Sequence, residues 1–123
     1  MKKRMIAVVL AMVMVMTSGL SVFAASGSNS GTYNGIRYIL DGYRTSEQAY
    51  SIGDYTSSSV SYYVYIRAYI RGNDDATETS VLRSAYGSRT VQTPVVGAPN
   101  DSYIDSIYTY LQFGTTRVGA FWV

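Results

Sequence analysis

One stretch of the chain, residues 57–72, alternates between two kinds of side chain at every second position. The first set is apolar throughout: Val60, Tyr62, Val64, Ile66, Ala68 and Ile70. The second set is polar or aromatic: Ser61, Tyr63, Tyr65, Arg67, Tyr69 and Arg71. Successive side chains of a β-strand point to opposite faces of its sheet. The pattern therefore predicts a long strand over 59–71, with the apolar set in a core.

The rest of the chain predicts further strands and no helix. Beyond residue 24, β-branched residues and tyrosines are abundant, leucines number only three, and no segment repeats apolar residues at helical spacing. We predict turns or loops at 72–75, 97–101 and 114–116, and a two-residue hairpin turn at Gly87-Ser88. Pro94 marks a sheet edge or a strand end. About seven strands result, over 34–41, 48–52, 59–71, 78–86, 89–95, 103–113 and 117–123.

About seven short antiparallel strands predict a small two-sheet sandwich of the immunoglobulin-like kind. The stretch DSIYTY, residues 105–110, resembles the tyrosine-corner region of such domains, in which a tyrosine early in a late strand bonds back to the backbone. The resemblance covers six residues, and the paired cysteines of antibody domains are absent. We therefore expect the architecture without assigning a family.

The first 24 residues have the three parts of a secretory signal peptide. Lys2, Lys3 and Arg4 precede an apolar run, and small residues around Ala24 suit a signal peptidase. We predict cleavage after Ala24, a flexible N-terminal segment over 25–33 and one β-sandwich domain over 34–123. The protein is then secreted or extracellular, with no membrane span after signal removal.

Cleavage at this position changes the charge of the protein. The whole chain has a net charge of +2, but the part after residue 24 has seven arginines and eight acidic residues, or −1. The basic character of the whole sequence is therefore no argument for nucleic-acid binding.

The residues after position 24 exclude most catalytic chemistry, because they include no histidine, cysteine or lysine. Nucleophile–base pairs of the usual kinds, and His or Cys metal sites, need those residues. We therefore predict no enzyme, no cofactor and no metal. Two groups of acidic residues and asparagines were weighed as calcium ligands, but solvated turns are the better interpretation: Asn73, Asp74, Asp75 and Glu78, and Asn100, Asp101 and Asp105.

The polar face of the predicted long strand is the candidate functional surface: Tyr63, Tyr65, Arg67, Tyr69 and Arg71. Tyrosine and arginine are enriched at binding hot spots, and aromatic faces stack on sugar rings. The same residues also stabilise a sheet through cross-strand pairs, which Tyr108 and Tyr110 would extend. We predict a non-catalytic extracellular binding or interaction module, whose partner is an extracellular protein or a cell-envelope glycan.

Two alternatives belong to other classes. SVSYYVYI and VGAFWV combine high strand propensity with little charge, which favours a self-assembling structural or matrix protein that uses β-strand addition, with Trp122 in the contact. A secreted bacteriocin-like or toxin protein is the more distant alternative.

Overall fold

A computed structural model describes residues 24–123, and in this part of the chain the regular structure consists of strands alone. The all-β prediction and the two antiparallel sheets are confirmed, with nine strands in place of about seven. The predicted signal peptide lies outside the described residues, except for Ala24. No helix among residues 24–123 is long and apolar enough to cross a membrane. The strands are β1 Ala24–Tyr33, β2 Ile36–Thr45, β3 Gln48–Tyr55, β4 Ser61–Gly72, β5 Glu78–Ser88, β6 Thr90–Gln92, β7 Val96–Gly97, β8 Ser102–Phe113 and β9 Thr116–Trp122.

The nine strands form two sheets that pack face to face. The five-stranded sheet has the order β1-β2-β3-β6, and the short β7 also pairs with β3. The four-stranded sheet has the order β5-β4-β8-β9. The long predicted strand is β4, and it lies at the centre of the four-stranded sheet between β5 and β8.

The prediction of a flexible segment over 25–33 is wrong, because these residues form most of β1. β1 pairs along its whole length with β2, and the two are joined by a turn at Asn34-Gly35 in which both residues have positive φ, 51° and 76°. Asn-Gly is the preferred sequence of such tight hairpin turns. The small residues of β1 permit close packing: a Cβ on Gly27 would lie 2.9 Å from the ring of Phe121 in β9.

The predicted hairpin at Gly87-Ser88 is also wrong. β5 continues to Ser88, and after Arg89, which has a φ of 60°, the chain crosses to the other sheet, where β6 pairs with β3. The backbone carbonyl of Arg89 accepts hydrogen bonds from the Tyr55 amide and the Tyr62 hydroxyl. Val91 is buried beyond the crossing. Burial of Val91 and these two bonds hold the segment in the five-stranded sheet. Pro94 follows the end of β6, as predicted.

The core lies between the sheets, and the alternation of β4 supplies much of it. Tyr62, Val64, Ile66, Ala68 and Ile70 are all buried, and Val60 packs beside them, which confirms the predicted core face. At one end of the core Phe113 is in contact with three tyrosines, with ring centroids 4.3 to 5.2 Å away. We call this group the inner aromatic cluster: Tyr33, Tyr55, Tyr62 and Phe113.

Candidate functional site

The outer face of the four-stranded sheet receives all five candidate residues, because they alternate with the buried residues of β4. The antiparallel pairing places residues of two other strands beside them. Tyr86 of β5 lies opposite Tyr63, and Tyr110 and Tyr108 of β8 lie opposite Tyr65 and Arg67. The prediction that Tyr108 and Tyr110 extend the tyrosine surface of β4 is confirmed.

Seven aromatic side chains form a continuous series of ring contacts on this face, which runs from Tyr86 in β5 to Trp122 in β9 and returns to Tyr69 in β4. Each ring centroid lies 4.5 to 5.9 Å from the next, which is the range of favourable aromatic pairs. Trp122 of β9 is in contact with both Tyr108 and Tyr69. We call this line the aromatic row: Tyr86, Tyr63, Tyr65, Tyr110, Tyr108, Trp122 and Tyr69.

The aromatic row is most exposed toward the edges of the sheet. Tyr86 and Trp122 are 62% and 59% exposed, whereas Tyr110, near the middle, is 8% exposed because its neighbours cover it. Among residues 24–123, no protein group forms a hydrogen bond with any of the six phenol hydroxyls of the row. The row therefore offers ring faces together with hydroxyl groups that are available to a partner.

Two arginines lie within the aromatic row. Arg67, on β4, lies opposite Tyr108 of β8, and its Nη1 donates to Ser80 Oγ at 3.1 Å. The guanidinium carbon of Arg117 lies 4.6 Å from the ring centroid of Tyr110, in a cation–π contact. The side chain of Arg117 also donates to Gln112 at 3.3 Å. Both contacts hold a positive charge beside the rings.

Arg71, the fifth candidate, follows Tyr69 on the same face of β4 and belongs to a charged cluster at the end of the sheet. Its Nη2 atom lies 2.6 Å from Glu78 Oε2 and 3.4 Å from Asp105 Oδ2. Partial burial alone would lower the pKa of Arg71, but these two carboxylates raise it above its ordinary value. The structure thus brings all five candidates onto one face, where Arg71 is paired with two carboxylates.

The hydroxyl of Tyr103 belongs to the same charged cluster. It donates to Asp75 Oδ1 at 2.7 Å. This hydrogen bond is the main reason that the pKa of Tyr103 is raised, with burial and the negative charges of Asp75 and Asp105 adding to it. The phenol is therefore held in its neutral form over a wider pH range.

The loops weighed as calcium ligands face each other at this end of the molecule, where Asn73 N donates to the Asp101 carbonyl at 3.0 Å. Four of their acidic side chains have protein partners: Asp74, Asp75, Glu78 and Asp105. Asp74 accepts from the amides of Ala76 and Thr77, and Glu78 pairs with Arg71. The described residues include no group of three acidic, histidine or cysteine side chains that could hold a metal ion. The two bonds of Asp74 stabilise the turn that follows β4.

The sequence does not indicate that Tyr86 and Arg117 belong to this surface, and it suggests a different role for the tyrosines of residues 105–110. Tyr86 joins the row only through the register of β5 on β4, and Arg117 only through the β8–β9 pairing. The resemblance of residues 105–110 to a tyrosine corner is not realised, because Tyr108 and Tyr110 stack in the row. The alternation of β5 predicts that Tyr86 points away from the core, but only the pairing of β5 with β4 shows that its neighbour is Tyr63.

No protein-family model matches this chain, and no curated protein or solved structure matches it either. The site is therefore interpreted from its own geometry. It is an aromatic, partly cationic sheet face with phenol groups that have no bond to residues 24–123.

Proposed function

We propose that this protein is an exported, non-catalytic binding module whose partner stacks on the aromatic row. The single observation that supports this most strongly is the continuity of the row, in which seven rings follow one another in contact and six phenol hydroxyls have no bond to residues 24–123. A folded protein ordinarily leaves large aromatic groups exposed together only where they contact something else. The signal-like N-terminus supports action outside the cell.

The chemistry of the row favours a glycan of the cell envelope over a protein partner. Pyranose rings present C–H faces that stack on the electron-rich faces of aromatic rings, and their hydroxyls can bond to the phenols. A protein interface usually centres on anchors that are fully desolvated in pockets of the partner. A line of rings without such pockets fits a chain of sugars better.

Removing exposed rings tests this proposal. We expect Tyr86→Ala and Trp122→Ala to fold normally, because both side chains are more than half exposed, and to lose retention on purified cell-envelope glycan. Val95→Ala is the matched control, since Val95 is 49% exposed and lies outside the row. Retention is measured by co-sedimentation, and folding by circular dichroism. Full retention of both folded variants would contradict the proposal.

A second candidate function is self-assembly by strand addition, which one observation favours. β5 borders the four-stranded sheet, is 11 residues long and is mostly exposed, so its outer edge is open among the described residues. Open edge strands pair readily with other chains. If the protein assembles in this way, sedimentation velocity will show larger species as concentration rises, and Leu82→Lys will abolish them. A monomer at all concentrations would contradict assembly.

We also propose that the sandwich is immunoglobulin-like. Apart from β1, and with β6 and β7 counted as one interrupted strand beside β3, the five-stranded sheet contributes three strands that face β5-β4-β8-β9. The order β2-β3-β6 corresponds to strands A-B-E of such domains and β4-β8-β9 to strands C-F-G, with β5 beside C as in variable-type domains. An experimental structure in which β6 pairs within the four-stranded sheet would contradict this assignment.

A further inference from the structure

The charges on the outer face of the four-stranded sheet are unevenly placed. Its two acidic residues near the row, Glu78 and Asp105, both pair with Arg71 at the end of the sheet. Arg67 and Arg117 lie among the rings, and no carboxylate of residues 24–123 forms a salt bridge with either. The aromatic row therefore carries positive charge that the described part of the protein leaves uncompensated.

Arg67 is placed to contact a ligand that lies along the row. It is flanked on its own strand by Tyr65 and Tyr69, and Tyr108 lies opposite it on β8. A guanidinium group has five N–H donors in a rigid fork, and Arg67 directs one protein hydrogen bond, to Ser80 Oγ. The remaining donors match the two oxygens of a carboxylate or phosphate.

The same charges disfavour a second copy of this chain as the occupant of the row. Most protein dimers are symmetric, so each copy would present the same patch to the other. Arg67 and Arg117 of one copy would then lie against the cationic patch of its partner, while the acidic groups stay paired with Arg71. Like charges facing each other across an interface are unfavourable.

A single-stranded nucleic acid also combines stacking groups with negative charge, but its charge density fits poorly. It has one phosphate per nucleotide, and proteins that bind it track the backbone with a positively charged groove. The aromatic row has seven rings and two cations. A polymer with occasional negative groups along a series of stacking rings matches this ratio better.

We propose that the ligand of the aromatic row is an anionic polysaccharide, in which sugar rings stack on the tyrosines and Trp122 while Arg67 binds a carboxylate or phosphate substituent. This inference rests on the proposed function. It adds that the ligand must carry both sugar rings that stack on the row and negative groups, and that Arg67 binds one of those negative groups.

Affinity electrophoresis of the full-length protein tests this with matched pairs of polymers. The carboxylate pair is polygalacturonate and its methyl-esterified form, and the phosphate pair is phosphomannan and mannan. Two further polymers serve as controls. Polyglutamate supplies carboxylates without any ring, and oligothymidylate supplies phosphates with stacking nucleobases in place of pyranose rings. We expect at least one charged glycan to bind about tenfold more tightly than its neutral partner, as one charge-assisted contact would give.

Substitutions separate the two requirements. Arg67→Ala should remove most of the preference for the charged polymer over its neutral partner, and Arg67→Lys should restore part of that preference. Trp122→Ala should weaken binding of both. Equal binding of charged and neutral glycans, an unchanged preference in Arg67→Ala, or tighter binding of polyglutamate or oligothymidylate would overturn the inference. The proposed function would survive equal binding of the two glycans, because envelope retention would still depend on the rings.

Discussion

The inner aromatic cluster and the aromatic row both consist mainly of tyrosines, and two adjacent residues of β4 belong one to each group. Tyr62 is fully buried in the cluster, and Tyr63 is 37% exposed in the row. Ring spacing does not distinguish the groups: centroids lie 4.3 to 6.0 Å apart inside and 4.5 to 5.9 Å apart outside. Stacking geometry is therefore no guide to whether an aromatic group is structural or available to a partner.

The hydroxyl groups show the difference. In the inner cluster, Tyr55 donates to the Tyr33 carbonyl at 2.8 Å, and Tyr62 donates to the Arg89 carbonyl. A buried phenol needs such a partner, because an unpaired polar group loses its hydration without compensation. In the row, no group of residues 24–123 bonds to the hydroxyls, so they are available to a ligand. The inner cluster is thus complete in itself, whereas the row has unused binding capacity.

The largest expected effect comes from removing the centre of the inner cluster. Phe113→Ala deletes a ring that is 3% exposed and contacts three tyrosines. We expect the free energy of unfolding, measured with urea, to fall by about 3–5 kcal/mol. For the row, Tyr86→Ala is the counterpart, and we expect a change within about 0.5 kcal/mol. Similar losses of unfolding free energy in the two variants would show that the row is as important to stability as the inner aromatic cluster.

A smaller loss of stability is expected from adding a methyl group to the tightly packed interior beside the inner aromatic cluster. A Cβ on Gly53 would lie 2.7 Å from Leu111 Cδ2 and 2.8 Å from Val64 Cγ2. Gly53→Ala should therefore cost about 1–3 kcal/mol through overpacking, again measured by urea unfolding. Gly97→Ala is the matched control, because no atom lies within 4 Å of its added Cβ. Equal stability of the two variants would show that the sheets move apart easily.

The smallest expected effect is a dependence of stability on alkaline pH. Burial, and then Tyr33, raise the pKa of Tyr55, and the bond to Asp75 raises the pKa of Tyr103. The unfolded chain ionises these phenols near pH 10, before the folded protein does. Their stabilising contribution is therefore complete below about pH 10 and declines as pH rises through the folded pKa values.

Tyr55→Phe isolates the contribution of the inner phenol to this decline. We expect the variant to be less stable at neutral pH by about 1 kcal/mol, because the bond to Tyr33 is lost. Its stability should then fall less steeply than that of the parent protein above pH 10. Urea unfolding at several pH values measures both effects, and parallel pH curves would contradict the explanation.

The sequence predicts the two faces of β4 because alternation depends only on the strand itself. The hairpin of β8 and β9 is likewise predicted within one residue at the turn, since Gly114 marks it. β1 was missed because its serines and glycines were interpreted by composition alone. The adjacent Asn34-Gly35 would have indicated a hairpin.

The aromatic row as a whole could not be predicted, since it depends on the register of four strands. A shift of β5 by two residues would move Tyr86 away from Tyr63 without changing any local pattern. Arg71 was assigned to the binding surface because it continues the alternation of Arg67. Its partner Glu78 lies across the turn that follows β4, and the pairing of the flanking strands brings their charges together.

The most direct test of the central claim uses Trp122, the only tryptophan of the chain, which is 59% exposed within the row. Acrylamide quenching of its fluorescence is measured with and without a saturating amount of the envelope glycan that retains the protein. If the row binds the glycan, Trp122 will be quenched readily in the free protein and protected in the complex, with its emission shifted to the blue. Retention of the protein with unchanged quenching of Trp122 would show that the glycan binds elsewhere and would contradict the assignment of the row.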